Sequence, residues 1–306
     1  MQVKVALVQQ AAVFFDKEKG LQQLAHWSAE AAKEKSDLVV FPESFIPGYP
    51  RGFDFGAMVG SRDDAGRELY NQYHQQSMDL AGPDGKFVED LAKKHNQYLV
   101  IGITEKEKHH GSLYCSMVYV SPTKGIMGVH RKIKPTGTER LIWAEAGAES
   151  LVSFQTEIGR LGGLICWENY MPLARMSMYR KGVQIYLAPT ADARESWIKS
   201  LQHIALEGRC FVLGCNQYFE PEMYPERFRV QLKDEERAHC KSGSVIVSPM
   251  GEIITGPLWD KAGLLTGELN LEEINRSKLD FDPNAHYNRE DIFQLQIPGQ
   301  PPTYEE

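Results

Sequence analysis

The sequence predicts a single α/β domain, with helices laid over a mainly β interior. Two observations carry that expectation. Strand–helix–strand segments alternate with hairpins along the chain, and no stretch has the composition of a linker. The run Lys35-Ser36-Asp37-Leu38-Val39-Val40-Phe41-Pro42 is also echoed by Lys181-Gly182-Val183-Gln184-Ile185-Tyr186-Leu187-Ala188-Pro189, each a helix end, a buried strand and a proline. This is a repeated supersecondary unit and not a tandem duplication.

Apolar alternation or short apolar runs predict strands over residues 3–9, 37–41, 98–104, 113–121, 125–130, 151–154, 161–166, 183–187, 210–216, 244–248, 252–255 and 263–270. Helical spacing marks residues 17–35, where Leu21, Leu24, Ala25, Trp27, Ala31 and Ala32 share a face, and also 68–80, 86–95, 172–181 and 195–208. Residues 46–61 form a Gly/Pro/aromatic loop too long for a simple connection. Residues 132–147 read as a polar loop, and 219–240 as a charged surface excursion. The expected organisation is one domain over 1–280, then a tail over 281–306 that packs on a neighbouring subunit.

Composition narrows the function. The 306 residues carry a formal charge of -7, with 42% hydrophobic and 25% charged residues. Those are ordinary values for a soluble globular protein and argue against a nucleic-acid or membrane-surface role. No apolar run approaches the ~18 residues of a membrane helix. The first residues lack a secretory pattern, and five cysteines, an odd number, suit a reducing cytoplasmic setting. Neither zinc spacing nor a glycine-rich nucleotide motif is present, so no metal or cofactor is expected.

Three stretches carry chemistry. Leu161-Gly162-Gly163-Leu164-Ile165-Cys166-Trp167-Glu168-Asn169 reads as a buried strand ending abruptly in a thiol. A nearby helix N-terminus would favour the thiolate, although Cys166 could equally be a small core residue. Glu43, in Phe41-Pro42-Glu43-Ser44-Phe45, is flanked by apolar residues that would raise its basicity; a capping or ion-pairing role is the alternative. In His130-Arg131-Lys132-Ile133-Lys134-Pro135-Thr136, strand alternation puts His130, Lys132 and Lys134 on one face. A lysine beside the thiol would favour thiolate and stabilise an anion, whereas a solvated strand end is the common alternative.

Together these stretches, with Thr138-Glu139-Arg140 and Leu187-Ala188-Pro189-Thr190, resemble the nitrilase superfamily of carbon-nitrogen hydrolases. Cys166-Trp167-Glu168-Asn169 marks the nitrilase and cyanide hydratase branch, and the resemblance runs from about residue 3 to about 295. It implies a four-layer αββα sandwich that pairs through the helices at 172–181 and 195–208, with larger spiral assemblies frequent. Loops near 53–64 and 219–240 fall where neighbours touch. The short C-terminal stretch argues against long filaments but not against a dimer.

Carried over residue by residue, the resemblance makes Cys166 the nucleophile, Glu43 the general base and Lys132 the charge-stabilising group. Glu139 is the second glutamate, holding Lys132 and helping to orient substrate or water. Tyr49, Trp143 and Thr190 are placed near the substrate. Trp167 is expected there as a pocket wall, with a core tryptophan as the alternative, and Glu168 is expected there too, with a structural ion-pair partner as the alternative. The implied reaction hydrolyses an organic nitrile to a carboxylic acid and ammonia through a thioimidate and a thioester, without metal or organic cofactor. Glu43, Glu139 and Glu168 would together hold the departing nitrogen protonated. The aromatic loop at 45–55 suggests an apolar substituent on the nitrile. The alternatives are a cyanide or nitrile hydratase that releases amide, an amidase, and a catalytically silent scaffold. Cys115, Cys210, Cys215 and Cys240 are expected to tolerate Ser or Ala.

Overall fold

Two six-stranded sheets form the centre of the structure, a computed structural model that describes residues 1–230, 232 and 239–299. In spatial order the first sheet holds β14 (Gly263–Asn270), β1 (Gln2–Gln9), β2 (Leu38–Val40), β5 (Tyr98–Lys106), β6 (Leu113–Ser121) and β7 (Gly125–Arg131). The second holds β13 (Ile253–Trp259), β12 (Ser242–Val247), β11 (Phe211–Gly214), β10 (Ile185–Leu187), β9 (Gly159–Gly163) and β8 (Ser153–Thr156). β3 (Ala57–Met58) and β4 (Ser61–Arg62) make a small separate hairpin inside the long loop. The central strands β1, β2 and β5 run parallel, as do β9, β10 and β11, while hairpin partners on the flanks are antiparallel.

Strand alternation sorts the core into layers. Val5 and Leu7 of β1 face inward with Val40, Leu161, Ile185, Leu187 and Leu213, so both sheets share one apolar interior. Ala6 and Val8 point outward with Val39 and Leu99, against Leu24 and Ala31 of α1 (Lys17–Lys33) and Val88 and Leu91 of α3 (Pro83–His95). On the far side Tyr186 and Val212 pack against Ala174 and Met178 of α4 (Pro172–Arg180), and against Trp197, Leu201 and Ile204 of α5 (Glu195–Gly208). The result is the expected αββα sandwich.

Several boundaries differ from the sequence reading. The helix expected at 68–80 is α2 (Asp64–Gln76), because the Asp63 carboxylate caps it by accepting the Gly66 N–H at 2.7 Å. Residues 132–147 contain a 3-10 turn, Gly137–Leu141, which carries Glu139. The stretch at 219–240 is no mere surface excursion. Phe219, Tyr224, Phe228 and Cys240 are buried, and Phe228 of α6 (Glu226–Arg229) stacks on Phe15 with ring centroids 4.2 Å apart. Residues 231 and 233–238, which include its charged run at 233–237, lie outside the described residues. A helix not expected, α7 (Glu272–Ser277), follows β14.

The described part of the tail returns to its own subunit. Arg180 donates to the Leu295 carbonyl at 3.0 Å and pairs with Glu290 at 2.8 Å. Among the described residues no helix is long and apolar enough to cross a membrane.

Candidate active site

Glu43 reaches the interior because the chain beyond β2 stays in the sheet. Phe41 N–H donates to Val100 O and Phe45 N–H to Gly102 O, both at 2.8 Å. Gly102 is required by this close approach, since a Cβ there would lie 2.0 Å from the Pro42 carbonyl oxygen. Ser44, at φ +47°, then turns the chain, and its hydroxyl joins Thr104 Oγ1 at 2.8 Å and Tyr73 OH at 3.2 Å. Behind this network Glu43 is buried.

Lys132 follows β7 directly and its backbone N–H donates to Cys115 O at 2.8 Å. Its ammonium donates to Glu43 Oε1 and to Glu139 Oε2, each at 2.7 Å, with the lysine fully buried. Burial opposes the ammonium charge, but Glu43 and the other anionic groups around it more than compensate and hold the lysine well above its ordinary range. Glu139 also accepts the Thr136 N–H at 2.6 Å and the Tyr49 hydroxyl at 2.7 Å. Lys134 does not share this face, contrary to the alternation argument. The strand stops at Arg131, and Lys134 is exposed beside Glu145.

Cys166 lies three residues past β9 and opens a 3-10 turn, Cys166–Tyr170, so the strand does not run to 166 as expected. Leu164 N–H donates to Leu187 O at 3.1 Å and Cys166 N–H to Pro189 O at 2.9 Å, which keeps the segment beside the extension of β10. Gly163 permits this, because a Cβ there would sit 1.9 Å from Leu187 O. Cys166 itself has φ +51°, an unfavourable region for a residue with a side chain. The Thr190 hydroxyl donates to its Sγ at 3.1 Å and accepts the Asp192 N–H at 2.9 Å.

The thiol is not a resting thiolate. Burial raises its pKa, Glu43 adds to the rise, and Lys132 and Thr190 only partly offset it. The expected helix dipole acts at a distance, because α4 begins six residues on at Pro172. Glu43 is likewise pushed up, chiefly by burial, with Lys132 opposing; its second oxygen, Oε2, makes no regular hydrogen bond among the described residues. A neutral thiol therefore faces a carboxylate with unused acceptor capacity.

A cavity of about 530 Å³ opens onto Cys166 and Glu139, with Tyr49, Arg51, Thr136, Trp167 and Asp192 among its walls. Trp167, 40% exposed, stands in the wall with its indole N–H on Asp192 Oδ2 at 2.8 Å. Trp143 lines a second, smaller cavity of about 190 Å³ that shares Tyr49, Arg51 and Glu139 with the first. Thr190 touches the thiol from its buried side.

Glu168, expected near the substrate, is buried and is not among the residues lining either cavity. The tight turn folds its carboxylate back onto His130 Nε2 at 2.9 Å and onto the N–H groups of Ile133 at 2.6 Å and Ile165 at 2.8 Å. Two further residues were not expected here. Cys115 brings its Sγ within 3.5 Å of Glu43 Oε1, and Arg51 sends a guanidinium N–H to the Ala191 carbonyl at the cavity wall. Cys115 sits in an unremarkable strand pattern, and pairing across β6 and β7 is the only signal that would have found it.

A buried cysteine, lysine and glutamate at strand ends of a two-sheet sandwich define the class of centre this fold carries. The chain belongs to the carbon-nitrogen hydrolase family, whose profile matches residues 4–278. It is 39% identical to Nitrilase 1 of Arabidopsis thaliana over 98% of this chain and 88% of that protein. With Nitrilase blr3397 of Bradyrhizobium diazoefficiens it shares 41% identity, covering 97% and 92%. The bifunctional nitrilase/nitrile hydratase NIT4A of Lupinus angustifolius is 41% identical over 98% and 87%. Among solved structures, Saccharomyces cerevisiae Nit3, a member of branch 10 of the nitrilase superfamily, matches the fold with a TM-score of 0.74 at 22% identity, covering 94% and 97%. A carbon-nitrogen hydrolase from Helicobacter pylori matches at 0.75 and 21%, covering 95% and 97%.

Proposed function

We propose that this protein is a nitrilase that hydrolyses an organic nitrile to the carboxylic acid and ammonia. Cys166 serves as nucleophile, Glu43 as general base, and Lys132, held by Glu139, as the charge-stabilising group. The observation that carries the reading is the buried Lys132 ammonium bridging Glu43 and Glu139 beside the Cys166 thiol. Identity of about 40% to named nitrilases over nearly the whole chain supports it.

The protonation states suggest the order of events. Cys166 gives its proton to Glu43 as sulfur attacks the nitrile carbon, so the thiolate exists only as the bond forms. Glu43 or Lys132 then protonates the nitrile nitrogen, giving a neutral thioimidate. Water, deprotonated by Glu43, adds to that carbon, and the tetrahedral intermediate collapses with its nitrogen leaving as ammonia. A second water converts the thioester to the acid and restores the thiol. Glu43 and Glu139 are the carboxylates at the lysine, while Glu168 is committed elsewhere. Two acceptors beside a developing ammonium still favour loss of ammonia over loss of sulfur.

Hydration to the amide is the second reading, since one of the similar proteins is a bifunctional nitrilase/nitrile hydratase. A panel of aliphatic and aryl-aliphatic nitriles, assayed for ammonia and resolved by chromatography, separates the two. Acid as the main product supports the nitrilase. Amide dominating across unrelated nitriles, without further hydrolysis, makes it a hydratase.

Self-association is part of the proposal. α4 and α5 expose Leu173 and Leu206, with Met171 at the entry to α4, the kind of apolar surface an isologous dimer covers. Residues 1–280 form the catalytic domain, and residues 281–306 supply a tail whose exposed Tyr287, Ile292 and Phe293 suit packing on a neighbour.

A further inference from the structure

His130 is fully buried at the end of β7, two residues before Lys132. Its Nδ1 lies 2.7 Å from the Ser150 carbonyl oxygen and its Nε2 lies 2.9 Å from Glu168 Oε2. A carbonyl oxygen only accepts, so Nδ1 carries a proton. Glu168 already accepts the Ile165 N–H on Oε2 and the Ile133 N–H on Oε1, so the remaining proton belongs on Nε2. We infer that His130 is a permanent imidazolium paired with a Glu168 carboxylate, and that this pair is a clamp fixing the Cys166 turn against the Lys132 strand end. The two amides it holds belong to Ile165, which precedes Cys166, and Ile133, which follows Lys132. One carboxylate thus ties the backbone of the nucleophile to the backbone of the charge-stabilising group, across the two sheets.

The surroundings agree. Burial opposes the imidazolium, as does Lys132 just past the end of the strand, but the Glu168 charge, its hydrogen bond and the Ser150 carbonyl outweigh both and raise His130 above its ordinary range. The other titratable groups that sense Glu168 are Cys115 and Tyr119 of β6 and Tyr186 of β10, all held neutral by burial. His130 and Glu168 line neither cavity and act through their neighbours, as positioning residues.

The clamp has a consequence for product, which rests on the nitrilase reading. The tetrahedral intermediate carries sulfur, a hydroxyl, an amino group and the substituent on one carbon. If the hydroxyl proton passes to nitrogen and the C–N bond breaks, ammonia and the thioester form. If it passes to sulfur and the C–S bond breaks, the amide and free Cys166 form. Holding the sulfur in register with Lys132 keeps nitrogen among Glu43, Glu139 and Lys132, and so favours the first route.

Glu168→Gln and His130→Gln test this in the full-length protein with a neutral nitrile. The expected result is a kcat about 10²-fold lower with KM little changed, together with a larger amide fraction. Folded variants with wild-type kcat and product ratio overturn the clamp, as does lost rate with an unchanged product ratio. Histidine-selective ¹⁵N spectra of the wild-type protein test the proton count without turnover. A doubly protonated ring from about pH 6 to 9, absent in His130→Gln, is expected, and a neutral ring there overturns the inference. A wild-type protein inert towards every nitrile would instead sink the nitrilase reading, leaving the spectra to judge the ion pair.

Discussion

At the scale of single residues, burial decides what each group can do. Cys166→Ala should abolish turnover with the fold retained, read by ammonia release and circular dichroism. Glu43→Gln and Lys132→Gln should each lower kcat/KM by about 10²–10⁴-fold. Lys134→Gln should do little, because that lysine is exposed beside Glu145; a large effect there would contradict the assignment of Lys132. The pH dependence follows from Glu43. Its pKa is raised, and its protonated form cannot act as a base, so activity falls as pH falls through that raised value. The acid limb of the kcat/KM profile should therefore lie above the ~4.3 of an ordinary glutamate. Cys115 now stands apart from the other non-nucleophilic cysteines. Its thiol touches Glu43, so Cys115→Ala should move this acid limb, whereas Cys210→Ala should not.

At the scale of elements, the site depends on strands that continue past their regular ends. Gly163→Ala would drive a Cβ into the Leu187 carbonyl and push the Cys166 turn off β10. Overpacking of this kind costs about 1–3 kcal/mol, and activity should fall further than stability, as a urea melt alongside kinetics would reveal. A contrasting case is the cap of α2. Asp63→Ala removes the acceptor for Gly66 N–H and should cost about 1 kcal/mol with catalysis nearly unchanged. The two variants separate a glycine that serves the site from a cap that serves only its helix.

On the scale of the whole molecule, the two faces of the sandwich have different fates. α1 and α3 cover the first sheet, while α4 and α5 cover the second and leave Leu173, 69% exposed, facing outward. Leu173→Glu should shift the protein towards monomer in light scattering. A wild-type monomer that is active at micromolar concentration would defeat the proposed dimer. The described tail braces α4 of its own chain through Arg180, so deleting residues 281–306 should loosen that helix as well as any contact with a neighbour.

Local sequence pattern determined an α/β domain with helices over a mainly β interior and singled out Glu43, Lys132 and Cys166 as candidates, while the four-layer sandwich came from the family resemblance. Period-two alternation in β1 and helical spacing in α1 follow from which side of an element meets water, and both are local properties. Glu43, Lys132 and Cys166 were legible because each lies in a short motif of an informative residue type. Tertiary structure decided the rest. It folded Glu168 onto His130, brought Cys115 to Glu43 across 72 residues of sequence, and buried Phe228 within a stretch that reads as charged surface. It also reversed the expected state of the thiol. A thiolate is favoured by a nearby lysine, but that lysine spends its charge on two carboxylates, and the desolvation that keeps Cys166 protonated exists only once both sheets have closed around it.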